Sequence, residues 1–134
     1  MENTRILVVD DDESIRRYVV KLLAQKGYDV QAAAGGKEAL RELRNNQDYS
    51  LVILDILMPD MDGLETLSEI RKISKEVPVL MLSALGQTNI IVKAMKAGAT
   101  DYLVKPFEED ELDVAIGKSM EKRRLLNELS SLRR

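Results

Sequence analysis

The sequence predicts an α/β protein built as one parallel sheet with helices on both faces. Short apolar runs alternate with amphipathic stretches of helical period. Three of those runs are apolar at nearly every position, and Gly or Pro punctuates most of the joins. A strand that is apolar throughout is buried on both sides, which a parallel sheet covered by crossover helices requires.

Ile6-Leu7-Val8-Val9 is the first such run. A helix is predicted from about Glu13 to Gln25, because Ile15, Val19, Leu22 and Leu23 share one face, and Gly27 marks its end. A weaker strand follows around residues 29–33, where Val30 and Ala32 alternate with polar neighbours. Gly35-Gly36 then opens a second helix, predicted over residues 37–46.

Leu51-Val52-Ile53-Leu54 is the third strand. Pro59 and Gly63 bracket a loop, and the next helix carries Leu64, Leu67 and Ile70. The fourth strand is expected over residues 77–82, with Pro78 near its start, where a missing N–H does least harm. A helix with Ile90, Ile91 and Met95 ends at Gly98, a fifth strand spans residues 100–104, and the last helix begins near Glu108. Five strands alternating with five helices fit the flavodoxin-like order 2-1-3-4-5, the simplest topology for this length.

The chain of 134 residues suits one domain. It has no Cys and no His, which removes disulfides, thiolate metal sites, imidazole bases and Ser-His triads. Chemistry must therefore run on carboxylates, lysine, hydroxyls or a borrowed metal ion. No apolar run is long enough to span a bilayer. Only four apolar residues follow the N-terminal Met1–Arg5, so neither an export signal nor a membrane partner is expected, and the expected location is cytoplasmic. The net charge of −3 is uneven: residues 117–134 hold six basic and two acidic side chains. A solvated helix face explains that better than nucleic-acid binding.

In open α/β sheets, ligands bind beyond the carboxyl ends of the strands, where the strand order reverses. Asp10-Asp11-Asp12 follows the first strand, Asp55 the third, Ser83 the fourth and Lys105 the fifth. The acidic run alone could simply cap a helix. Its coincidence with Asp55 favours a hard cation held by oxygen ligands, of which Mg²⁺ fits best. Lys105 could be a solvated turn residue, but beside carboxylates it would act as a compact cation for phosphoryl oxygens. Ser83 could donate to the same oxygens. Together these groups suit phosphoryl transfer onto Asp55, with Mg²⁺ and Lys105 offsetting the negative charge.

With these residues in place, the chain resembles a response-regulator receiver domain over residues 4–120. The segments that carry the resemblance are ILVVDDD from Ile6, LVILDILMPDMDG from Leu51, Leu82-Ser83-Ala84, and GATDYLVKPF from Gly98. The resemblance implies that Asp55 is the phosphoacceptor and that Asp11 binds Mg²⁺ directly. It also implies help from Asp10 through water and a metal contact from the Leu57 backbone carbonyl. Ser83 and Lys105 would touch the phosphoryl group, the Lys105-Pro106 peptide would be cis, and Tyr102 would be the switch aromatic that moves inward. Strand propensity alone would also place an aromatic at Tyr102. Such a domain takes its phosphoryl group from a partner histidine kinase or phosphotransfer protein. It is a signalling domain that assists its own phosphorylation and slow dephosphorylation, and it switches the face formed by the fourth helix, fifth strand and fifth helix. Leu57 and Leu85, each two positions beyond a site residue, are expected to slow loss of the phosphoryl group.

Leu112, Ala115 and Ile116 should pack the last helix on the sheet, while Leu125, Leu129 and Leu132 form a second stripe. Residues 1–120 are therefore read as the receiver domain and residues 121–134 as a helical linker or dimerising extension. A homodimer would use this helix or the fourth-helix and fifth-strand face, and the expectation is that the chain is the front of a longer regulator with an output domain. Three rivals remain. An aspartate-nucleophile phosphatase would want a second acid where Leu57 stands. A flavin module would need a phosphate cradle where the acidic run stands. A non-catalytic interaction module would have no use for Asp11, Asp55 and Lys105.

Overall fold

The structure is a computed structural model that describes residues 4–132, with side chains to residue 129. It contains β1 (Arg5–Val9), α1 (Glu13–Gln25), β2 (Asp29–Ala33), α2 (Gly36–Asn45) and β3 (Leu51–Asp55). These are followed by α3 (Gly63–Ile73), β4 (Val79–Ser83), α4 (Thr88–Lys96), β5 (Asp101–Val104) and α5 (Glu109–Leu132). All four strand pairings are parallel, in the order β2-β1-β3-β4-β5. This is the doubly wound, flavodoxin-like topology that the alternation of runs predicts.

Period-two alternation divides the core in two. Ile6, Val8, Leu51, Ile53, Leu80 and Leu82 face α1 and α5, where they meet Val19, Leu23, Leu112 and Ile116. Leu7, Val9, Val52, Leu54, Val79 and Met81 face the other helices, where they meet Leu40, Leu67, Ile70 and Ala94. Burying β1, β3 and β4 on both faces accounts for their continuous apolar sequences.

Local chemistry sets the ends of the helices. Asp12 caps α1 by accepting from the backbone N–H groups of Ser14 and Ile15, and Gly27 leaves it at φ 94°, where other residues are strained. Asp62 caps α3 through the N–H of Glu65. One boundary and two buried faces differ from the sequence expectation. Pro78 lies just before β4, although its carbonyl still accepts from the N–H of Val52. Ala32 is exposed while Ala33 is buried, because β2 is an edge strand with only part of one face covered. On α4 the buried residue is Ala94, and Met95 turns outward.

Leu112, Ala115 and Ile116 pack α5 against the sheet as expected. The helix runs unbroken past residue 120. Lys122 pairs with Asp101 at 3.0 Å, and Arg123 Nε donates to the Glu76 carbonyl at 2.7 Å. Beyond these anchors Leu125, Leu126 and Leu129 are each about half exposed. The side chain of Leu132 lies outside the described residues. Among the described residues no helix is long and apolar enough to cross a membrane.

Candidate phosphoacceptor site

The same alternation that builds the core positions the site. Asp10 continues the face of Ile6 and Val8, Asp55 that of Leu51 and Ile53, and Lys105 that of Leu103. Three strands thus aim one polar residue each from a single face at the carboxyl edge of the sheet. Main-chain bonds hold the ends together: Asp10 N–H donates to Ala33, Ile56 N–H to Leu82, and Lys105 N–H to Ser83.

Lys105 Nζ donates to Asp55 Oδ1 at 3.1 Å and to Asp10 Oδ2 at 3.2 Å. Asp10, Asp11 and Asp55 can each present a carboxylate oxygen within 4.8 Å of the others. Asp10 is wholly buried, Asp55 nearly so, and Asp11 is exposed. Burial, reinforced by the nearby charge of Asp10, pushes the Asp55 carboxyl up to about 6 against the opposing pull of Lys105. Burial would lower the Lys105 ammonium, but its contacts with Asp55 and Asp10 more than offset that, and it is raised. The three carboxylates outnumber the one ammonium, so the cluster is short of positive charge.

The acidic run divides its labour. Asp12 serves as the helix cap, while Asp10 and Asp11 join Asp55, so capping and clustering coexist within three residues. The loop after β3 is held tightly: Gly63 N–H donates to the Ile56 carbonyl at 2.6 Å. A Cβ on Gly63 would meet Ile56 Cα at 2.6 Å, so only glycine lets the chain turn here. Leu57 lies in this loop with its side chain 56% exposed, and Leu85 is 78% exposed.

Ser83 is buried at the end of β4, and its hydroxyl has no hydrogen-bond partner among the described residues. A buried, unpartnered hydroxyl is costly and calls for an explanation. Its place beside the carboxylate edge suits an incoming oxygen ligand. The all-oxygen donor set of Asp10, Asp11 and Asp55 suits a hard divalent cation such as Mg²⁺. The Lys105-Pro106 peptide is cis. Tyr102 points outward and lines a groove of about 640 Å³ with Ala84, Ile91, Met95 and Val104. The sequence expectation thus names the residues that converge. It misses Arg16, whose Nη1 donates to the Asp10 carbonyl at 2.7 Å, and Asp60, whose carboxylate accepts from the N–H of Lys37 at 3.3 Å.

Fold and site together define a doubly wound α/β domain with an acidic cluster at the carboxyl edge of its sheet, and comparison with known proteins identifies its family. Residues 6–117 match the family described as response regulator receiver domain, and the chain belongs to it. The chain is 46% identical over 109 residues to a transcriptional regulatory protein CpxR homolog of Haemophilus influenzae, covering 81% of this chain and 47% of that protein. It is 38% identical over 117 residues to the chemotaxis protein CheY of Bacillus subtilis, covering 87% of this chain and 97% of that protein. Among solved structures, NtrX from Brucella abortus superposes with a TM-score of 0.89 at 35% identity, over 98% of this chain and 30% of that one. The chain thus spans about half the length, or less, of several relatives and nearly all of another.

Proposed function

We propose that this domain accepts a phosphoryl group on Asp55 from a phosphohistidine of a partner kinase or phosphotransfer protein, in a Mg²⁺-dependent reaction. The observation that carries the reading is the contact of Lys105 with both Asp10 and Asp55, next to exposed Asp11 and the unpartnered Ser83 hydroxyl.

An oxygen of Asp55 attacks phosphorus as the phosphorus–nitrogen bond to the donor imidazole breaks, and the electron pair leaves with the imidazole. Lys105 neutralises charge on the transferred oxygens, and the Ser83 hydroxyl donates to one of them. Asp11, Asp55 and the Leu57 carbonyl would hold Mg²⁺, with Asp10 acting through water. The bound ion would supply charge neutralisation at the carboxylate cluster. Each domain is modified and slowly reset, so it acts as a phosphoacceptor in signalling.

Engagement of Ser83 then favours an inward Tyr102, which would fill the groove beside α4 and change the α4–β5–α5 face. That face would control a partner or output domain. Residues 1–120 form the receiver, and residues 121–134 act as a linker or dimerising extension. The leucines at 125 and 129 support that division, because about half of each is left uncovered. We place the protein in the cytoplasm, where its kinases would present their phosphohistidines.

Incubation with a small phosphodonor, with and without Mg²⁺, tests the reading by intact mass. Gain of one phosphoryl group only with Mg²⁺ is expected. No gain by folded protein, under conditions that label a known receiver, would leave a non-catalytic interaction module as the better description.

A further inference from the structure

We infer that Arg16 is a positioning residue for the metal site, acting through the Asp10 carbonyl to aim the carboxylate of Asp11. The inference rests on the Mg²⁺-dependent reading above. Every polar group of Asp10 has a partner. Its N–H donates to Ala33 at 3.2 Å, its Oδ1 accepts from the N–H of Asp12 at 2.9 Å, and its Oδ2 accepts from Lys105 at 3.2 Å. Its carbonyl accepts from Arg16 Nη1 at 2.7 Å.

That last contact matters beyond Asp10. The peptide joining Asp10 to Asp11 is planar, so fixing the carbonyl oxygen fixes the direction of the Asp11 N–Cα bond. Asp11 is exposed, and with no surrounding core to hold it, its aim depends on that backbone plane. The backbone N–H of Arg16 donates to the Asp12 carbonyl at 2.9 Å, the first helical bond of α1, which fixes where its side chain starts. From there the half-buried Arg16 side chain spans the β1–α1 turn to the Asp10 carbonyl.

Positioning and charge predict opposite signs. Arg16 is a cation near a cation site, so as a mere charge its removal would tighten Mg²⁺ binding. As a brace, its removal weakens binding, as loss of partners behind metal ligands does.

The test titrates ¹⁵N-labelled protein with MgCl₂ and reads affinity from the amide shifts of Asp11 and Leu57, in the parent, Arg16→Met and Arg16→Lys. Arg16→Met should bind Mg²⁺ on the order of tenfold more weakly, with partial recovery in Arg16→Lys, which keeps a donor. Arg16→Gln, whose amide is too short to reach, replaces Arg16→Met if the latter does not fold. Equal or tighter binding by a folded Arg16→Met or Arg16→Gln overturns the positioning role while leaving the phosphoacceptor reading intact. A folded parent that binds no Mg²⁺ overturns the metal reading itself.

Discussion

Lys105 Nζ lies 3.1 Å from Asp55 Oδ1, joining residues 50 positions apart in sequence. The same ammonium reaches Asp10, so one cation serves two buried carboxylates. It holds Asp55 below the value that burial and Asp10 would otherwise impose. Lys105→Met should therefore raise the Asp55 pKa further above about 6, measured by ¹³C NMR of its carboxyl carbon. The variant should also label at least ~100-fold more slowly, about 2.7 kcal/mol of barrier. An unchanged or lower Asp55 pKa would show that the pair does not act as described.

The raised Asp55 pKa makes a stability prediction with a definite sign. Between its ordinary value of 3.8 and the folded value of about 6, the folded chain binds the proton more tightly than the unfolded chain. Stability from this group is thus present at low pH and lost as pH rises through about 6. Asp55→Asn, which resembles the neutral acid, should be more stable than the parent above that pH, by on the order of 2 kcal/mol. The advantage should shrink as pH falls towards 4. Denaturant melts of both proteins across this range, without divalent ions, check it.

The exposed leucines beside the site bear on how long the phosphoryl group would last. Leu57 and Leu85 offer attacking water no polar group to orient it. Leu57→Asn should hydrolyse its acyl phosphate about fivefold faster, roughly 1 kcal/mol in barrier. Decay of the phosphorylated mass after donor removal measures this.

At the far end of the molecule, Leu125 and Leu129 sit four residues apart on α5, beyond the last anchors to the sheet. Replacing both with Glu should weaken self-association without changing the unfolding midpoint by more than about a degree, since neither packs in the core. Sedimentation of parent and double variant checks it, and a parent that stays monomeric at high micromolar concentration would contradict a dimerising extension.

Much of this was legible in the chain. β1, β3 and β4 announced themselves because strands buried on both faces must be apolar throughout, and the residue after each run was the one brought to the carboxyl edge of the sheet. β2 and α4 were less legible. An edge strand and a thinly covered helix bury too little for their pattern to say whether Ala32 or Ala33, Ala94 or Met95, turns inward. Nor could composition assign the acidic run, in which one residue is buried, one exposed and one a cap. Arg16 and Asp60 were invisible for another reason. Their partners are backbone groups, a carbonyl and an N–H, and backbone groups leave no mark in a sequence. Arg71 is similar: it donates to the carbonyls of Ser74, Val77 and Gly98, tying α3 to the turns flanking β4 and β5.

In the proposed reaction Asp55 itself carries the phosphoryl group. The most direct measurement treats the protein with phosphodonor and Mg²⁺, reduces any acyl phosphate with borohydride, and sequences the peptides by mass spectrometry. Conversion of aspartate to homoserine is expected at position 55 alone, dependent on donor and on Mg²⁺. Conversion at Asp10, Asp11 or elsewhere, or none in folded protein that binds Mg²⁺, would contradict it.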